Sequence, residues 1–200
     1  MLALFAVPML MIAICVRLTS KGKALISQER VGLGGRLFHI YKFRSMKLTS
    51  VEDAGPWLTK DGDSRVTALG RYIRKFKLDE LPQFYNILRG DMSLVGPRPK
   101  LPQYEAMFNM PYRPGITGAA TIVFRREEEI LPDCNAVELD RFYAVHIKPH
   151  KARLDACYMC NATPASDMRI IKQTLVACIA SSPISAVPGG ASVPALETID

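Results

Sequence analysis

The first sixteen residues of this 200-residue chain, Met1 to Val16, carry no charge at all. The run is still short of the ~20 residues a helix needs to cross a bilayer. Pro8 interrupts it, because its ring removes one helical hydrogen bond and crowds the preceding turn. No basic residue precedes the run and no small-x-small site follows it, so a cleaved secretory signal is not expected. The five cysteines are an odd number without export signals, which points to a reducing compartment rather than a disulfide framework. Cys157-Tyr-Met-Cys160 has no second CxxC to complete a zinc site, although His146 and His150 lie upstream. On a helix these two cysteines read as small core residues. Internal repeats are absent. So are helix-turn-helix, RRM and zinc-finger patterns, which argues against a nucleic-acid-binding module.

Acid is also missing where base is dense. Between Arg17 and Lys47 stand eight Lys or Arg and one acid, Glu29, which accounts for the whole net charge of +7. A basic block of this kind suits nucleic acid, an anionic membrane surface or a phosphorylated substrate. Following directly on an uncharged run, Arg17, Lys21 and Lys23 fit a segment that dips into the inner leaflet and is held by cytoplasmic lysines. A buried core helix is the plain alternative. The chain is 48% hydrophobic, enough for one domain with a core.

Strand formers at Leu25 to Val31 and Leu37 to Phe43, joined by Gly32-Leu-Gly-Gly35, predict a β-hairpin. No helix follows those glycines to present its N-terminus, so they do not read as a phosphate loop. Residues 48 to 64 are polar and loop-like. Thr67 to Phe76 predicts a basic amphipathic helix with Leu69, Tyr72, Ile73 and Phe76 on one face. A second helix is expected from Asp79, as N-cap, to Gly90 at C′. A short strand at Met92 to Val95 and the rigid turn Gly96-Pro97-Arg98-Pro99 follow. Ala119 to Phe124 reads as a strand, and 136 to 148 and 150 to 161 as helices separated by Pro149. Ser166 to Ile179 is a further helix. Residues 181–200, rich in Ser, Pro, Ala and Gly, read as a disordered tail.

An acidic pair at a helix start is ordinarily a cap and a dipole-favoured side chain. Asp79-Glu80 is different in its neighbours: Arg74 and Lys75 before it, Arg98 held between two prolines after it, and Lys42 and Arg44 at the end of the hairpin. If these converge, two carboxylates lie in a cationic shell able to bind a diphosphate. One carboxylate could then attack phosphorus while the other holds a metal. At a helix N-terminus Asp79 would be ionised at neutral pH.

Gln28-Glu-Arg-Val-Gly, Tyr41-Lys-Phe-Arg-Ser-Met46, Asp63-Ser-Arg-Val-Thr67, Leu78-Asp-Glu-Leu-Pro-Gln83, Asn86-Ile-Leu-Arg-Gly-Asp-Met-Ser-Leu-Val-Gly-Pro-Arg-Pro99 and Arg113-Pro-Gly-Ile-Thr-Gly118 stand in this order in the chain. They closely resemble the bacterial sugar transferase family, the monotopic polyprenyl-phosphate phosphoglycosyl transferases, from about Pro8 to Leu175. The resemblance implies an α+β fold: a small cytoplasmic domain with a β-hairpin, interfacial helices and an N-terminal re-entrant membrane helix. It implies a membrane-inserted segment at 1–19 and a catalytic domain at 20–180, on the cytoplasmic face of the bacterial inner membrane. It implies a UDP-sugar donor, a polyprenyl phosphate acceptor, UMP as the leaving product and a requirement for Mg²⁺.

Asp79 matches the family nucleophile of a ping-pong reaction through a phosphosugar-aspartyl intermediate, and Glu80 its acidic partner. Glu80, with Asp79, would hold the metal. Lys42, Arg44, Arg74 and above all Arg98 are the expected phosphate-binding residues. Asp155 and Asp167, with Tyr158, look like a later family pattern of substrate-binding residues. A homo-oligomer is a further expected partner arrangement. Family members usually carry a longer segment before the proline, and a serine where Val7 stands. Lys77 stands where Ser or Thr is common. An inactive membrane-surface scaffold of the same fold is the alternative, and intact Asp79, Glu80 and Arg98 argue against it.

Overall fold

The structure is a computed structural model that describes residues 2–47, 58–59, 62–102, 111–132 and 134–179. Most of the polar stretch after Lys47 and the whole of 181–200 lie outside the described residues.

The uncharged run forms helix α1, Leu2–Thr19, with Pro8 inside it. Only one flank is covered. Val16 is buried against Phe43 and Ile73, with Met9, Ile12 and Ala13 partly covered beside it. Val7, Leu10, Met11, Ile14 and Leu18 remain 44% to 81% exposed. A helix apolar all round has no face suited to water, so this side calls for an apolar neighbour. No described helix is long and apolar enough to cross a membrane. The end of α1 closes on itself: Thr19 donates to the Cys15 carbonyl at 2.7 Å and Ser20 to that of Val16 at 3.1 Å.

Strands β1, Leu25–Val31, and β2, Leu37–Phe43, form the expected antiparallel hairpin, in register from Leu25↔Phe43 to Val31↔Leu37. Gly34 and Gly35 take φ of 66° and 77° in the turn, a conformation other residues adopt only at a cost. Ile40 and Phe43 face the core. The chain then returns through a bridge between Met46 and Val66 into α2, Ala68–Lys75, capped by Thr67, whose hydroxyl accepts from the Gly70 N–H. A Cβ on Gly70 would lie 2.0 Å from the Ser45 carbonyl oxygen, so a glycine is needed where α2 crosses this strand end. Leu69 and Ile73 pack inward as expected, but Tyr72 and Phe76 are exposed.

The expected helix from Asp79 to Gly90 is two elements. Residues Leu78–Gln83 wind as a 3-10 segment entered through Lys77 at φ 56°, and α3 spans only Phe84–Arg89. Asp79 is therefore not an N-cap. The cap position falls on Lys77, and Pro82 sits inside the tighter turn. Gly90 does end α3 at φ 82°, with Asp91 N–H donating to the Asn86 carbonyl at 3.0 Å and Gly90 N–H to that of Ile87 at 2.9 Å. Asn86, fully buried, donates to the His39 carbonyl at 2.7 Å and fastens α3 to β2.

Strand β3, Ser93–Val95, pairs in parallel with β4, Gly115–Thr117. After β4 the chain turns at once into α4, Ala119–Val123, where the residue types had suggested a strand. Tertiary context overrides β-propensity here. Asp155 accepts a hydrogen bond from Ala120 N–H at 3.1 Å, and Ala119 and Ile122 pack against Val95, Tyr158 and Ile170. Helices α5, Glu127–Ile130, and α6, Ala136–Phe142, follow. A π-helical turn at Tyr143–Ile147 then runs straight into α7, Lys148–Cys160. Pro149 does not separate a pair of helices, since it lies in the first turn of α7 where no N–H is needed. Helix α8, Pro164–Ile179, completes the described fold. Cys157 and Cys160 are exposed on α7 rather than in the core, because Leu154 and Tyr158 occupy its buried face.

Candidate active site

Two backbone devices bring the acidic pair and Arg98 together. The left-handed Lys77 swings the 3-10 segment under β2, which leaves Asp79 and Glu80 only 9% and 6% exposed. On the opposite side, the Gly96-Pro-Arg-Pro99 turn is clamped to the start of β4. Gly115 N–H donates to the Pro97 carbonyl at 2.8 Å, and Gly96 N–H to that of Thr117 at 2.9 Å. A Cβ on Gly115 would come within 2.2 Å of the Gly96 nitrogen. Only glycines allow this crossing, and it aims Arg98 at the acids.

Arg98 grips Glu80 through both terminal nitrogens: Nη2 bonds Oε1, and Nη1 reaches Oε2 at 3.4 Å. Lys42 from β2 lies 3.6 Å from the same carboxylate. Burial alone would raise the Glu80 pKa, but the charges of Arg98, Lys42 and Lys77 outweigh it and hold the group well below the usual carboxylate range. Glu80 in turn holds the Arg98 guanidinium above its ordinary value against the opposing effect of burial. Burial lowers the Lys42 ammonium, with Glu80 pulling the other way.

Asp79 behaves oppositely. Burial and then the Glu80 charge raise its pKa, more than Lys42, Lys77 and Arg74 lower it. Its Oδ1 is buried without a hydrogen-bond partner. The expectation of an ionised carboxylate rested on a helix N-terminus. With no cap role and little solvent, the shift is upward instead, and a further cation would oppose it. Among the described residues no cluster of three or more His, Cys, Asp or Glu exists that could hold a metal alone. A divalent ion here would have the unpartnered Asp79 Oδ1 as its protein ligand. The Glu80 oxygens are already engaged by Arg98 and Lys42.

The remaining expected residues divide. Arg74 pairs with Glu128, and its charge still reaches Asp79. Arg44 is not brought to the acids. Its buried guanidinium bonds the carbonyls of Ser20 and Lys21 and the Ser20 hydroxyl, tying the end of α1 to β2. Asp155 caps α4 beside Gly118, and burial pushes its carboxyl up to about 6 despite the Ala120 N–H and the charges of Lys100 and Lys151. Asp167 accepts from the Tyr158 hydroxyl at 2.6 Å; burial first and this bond second raise the tyrosine to about 12. Neither of these two acids borders the cleft at Glu80 and Arg98. The Asp63-Ser-Arg65 motif is a local ion pair at 2.6 Å.

Sequence reasoning missed the cleft next to Glu80 and Arg98. It is bordered by Lys77 and Arg125 and lined by residues of β4, α4 and α8. Lys77 stands out in the sequence only as a departure from a pattern, and Arg125 has no motif around it. Their meeting depends on how β4 and the helix after it pack, which no local pattern announces.

The profile of the bacterial sugar transferase family matches residues 1–181. The UDP-N-acetylgalactosamine-undecaprenyl-phosphate N-acetylgalactosaminephosphotransferase of Aeromonas hydrophila is 47% identical over 129 residues, covering 60% of this chain and 30% of that protein. The undecaprenyl-phosphate glucose phosphotransferase of Komagataeibacter xylinus is 42% identical over 158 residues, 72% of this chain and 30% of the relative. The UDP-glucose:undecaprenyl-phosphate glucose-1-phosphate transferase of Caulobacter vibrioides is 44% identical over 133 residues, covering 60% and 48%. The chain thus spans between 30% and 48% of the length of these relatives.

Proposed function

The chain belongs to the bacterial sugar transferase family, and on that premise we propose that it moves a phosphosugar from a UDP-sugar to a membrane polyprenyl phosphate, undecaprenyl phosphate being the expected acceptor. The relatives' names support the acceptor and the donor class. The observation that carries the reading is the buried, unpartnered Asp79 oxygen beside a Glu80 locked by Arg98 and Lys42. A nucleophile must keep a lone pair free, and Asp79 does so while the Glu80 oxygens beside it are engaged.

The reaction runs in two displacements. An Asp79 carboxylate oxygen attacks the sugar-bearing phosphorus, the bond from that phosphorus to the UMP oxygen breaks, and UMP leaves with the electron pair. An oxygen of the lipid phosphate then attacks the same phosphorus. The Asp79–phosphorus bond breaks, and the carboxylate returns while the sugar diphosphate lipid departs. Arg98 and Lys42 stabilise the charge on the phosphoryl oxygens, which otherwise repel an anionic nucleophile. Mg²⁺, with one Asp79 oxygen among its ligands and the other left to attack, would supply further neutralisation and favour the ionised acid. Splitting the transfer in time spares the site from holding two highly charged substrates at once. Helix α1 would lie re-entrant in the cytoplasmic leaflet, with its exposed row in lipid and Arg17, Lys21 and Lys23 at the headgroups.

The full chain incubated with a panel of labelled UDP-sugars and no acceptor is expected to release UMP and retain label on Asp79. Excess EDTA and Asp79→Asn should each abolish both signals, and Glu80→Gln should remove most of the turnover. Release of UMP only when polyprenyl phosphate is present would replace this scheme with direct transfer.

A further inference from the structure

The cleft beside Glu80 has an uneven chemistry. Its walls are mostly carbon, from Leu81, Phe84, Ile116, Ile122 and Ala177. Three threonines reach it, Thr117, Thr121 and Thr174. Two of these are committed to the protein. Thr174 donates to the Ile170 carbonyl at 2.8 Å, so in its 2.6 Å contact with Thr117 it can only accept. Three cations border the same space: Lys77, Arg98 and Arg125.

This pattern discriminates between the two substrates. A uridine brings a base edge of two carbonyls and an N–H, plus ribose hydroxyls. Each polar group buried there without a partner would cost about 1–3 kcal/mol. An isoprenoid brings none of these, and each buried CH₂ gains about 0.8 kcal/mol against such walls. Its only polar end is a phosphate, which the three cations match. Resting on the transferase reading above, we propose that this cleft receives the acceptor: the lipid phosphate lies among Lys77, Arg98 and Arg125, and the first isoprene units lie against Phe84, Leu81, Ile122 and Ala177. With Arg98 at the border, the phosphate is delivered beside Glu80 and hence next to Asp79, where the second displacement needs it. The donor nucleotide then approaches from outside this cleft.

Cys178 lines the cleft, whereas Cys157 and Cys160 are exposed on α7 outside it, so the protein carries its own probe and controls. In the detergent-solubilised full chain, alkylation of each cysteine by N-ethylmaleimide is followed by peptide mass spectrometry. Farnesyl phosphate at about four times its Kd should slow Cys178 about five-fold and leave Cys157 and Cys160 unchanged. UDP should not slow Cys178. Thr121→Phe, which places a ring in the cleft, should abolish the protection by farnesyl phosphate.

Protection by UDP would make this the nucleotide site, and equal protection by phosphatidylglycerol would make it a general lipid groove. Either result, protection by no ligand, or unaltered protection in Thr121→Phe overturns the proposal. Protection requires no turnover, so it succeeds or fails separately from UMP release.

Discussion

Replacing Arg98 by methionine removes the guanidinium from Glu80 while keeping the aliphatic stem. The Glu80 side chain is 7% exposed, and what remains beside it is Lys42 at 3.6 Å. Stranding one member of a buried pair costs about 3–5 kcal/mol. The Arg98 side chain is 40% exposed, so solvent already screens some of the pair's attraction and the lower end, about 3 kcal/mol, applies. Glu80→Gln leaves the charge on the wetter partner and should cost about 1 kcal/mol. In the double variant no carboxylate is stranded, and the loss at Lys42 is already present in Glu80→Gln alone, so the two changes should couple by about 2 kcal/mol. The pair's sign in pH follows from the depressed Glu80 pKa. Its stabilisation is present above the ordinary value near ~4.3 and is lost as pH falls through the lower folded value. The cost of Arg98→Met should therefore shrink below about pH 4. Urea unfolding of the four proteins in one detergent, followed by circular dichroism at pH 7 and at about pH 3, measures the cycle. Single costs that add within about 0.5 kcal/mol would mean that Arg98 does not hold Glu80.

Two further outcomes separate stability from chemistry. Asp79→Asn, in which the proposed transfer should be lost, should melt higher than the parent at pH 7. The raised Asp79 pKa stabilises the fold only below the ordinary carboxyl value, and that benefit is lost as pH rises through the folded one. The advantage should fade below about pH 4, and a lower melting temperature at both pH values would refute it. Arg44→Lys should cost about 3 kcal/mol, since a single nitrogen cannot replace charged bonds to Ser20 and Lys21, while donor KM per folded molecule stays within about two-fold. A raised donor KM at unchanged melting temperature would return Arg44 to the phosphate-binding set.

Local chemistry settled much of this protein from its residues. Strand formers either side of Gly32 to Gly35 specify the hairpin, because a turn with positive φ admits few other residues. Gly90 ends α3 for the same reason. The ordered blocks around Asp79, Glu80 and Arg98 identified the family and singled out the acids. Where readings failed, the deciding force acted across the chain. Asp79 is no cap, because Lys77 and Pro82 tighten the backbone into a 3-10 segment that packs under β2. Residues 119–123 are helical because Asp155, more than thirty residues later, receives the Ala120 N–H. Arg44 stands in a basic block, and in the fold its guanidinium bonds the carbonyls at the end of α1. Burial also moves the Asp79 pKa upward where a helix N-terminus would have lowered it, since a pKa depends on how much water is excluded and which charges remain. Residue types thus determined which groups could do chemistry. Only the glycine-tight crossing of Gly96, Gly115 and Gly118 decided which of them meet, because contacts between backbones leave no periodic trace in the side chains.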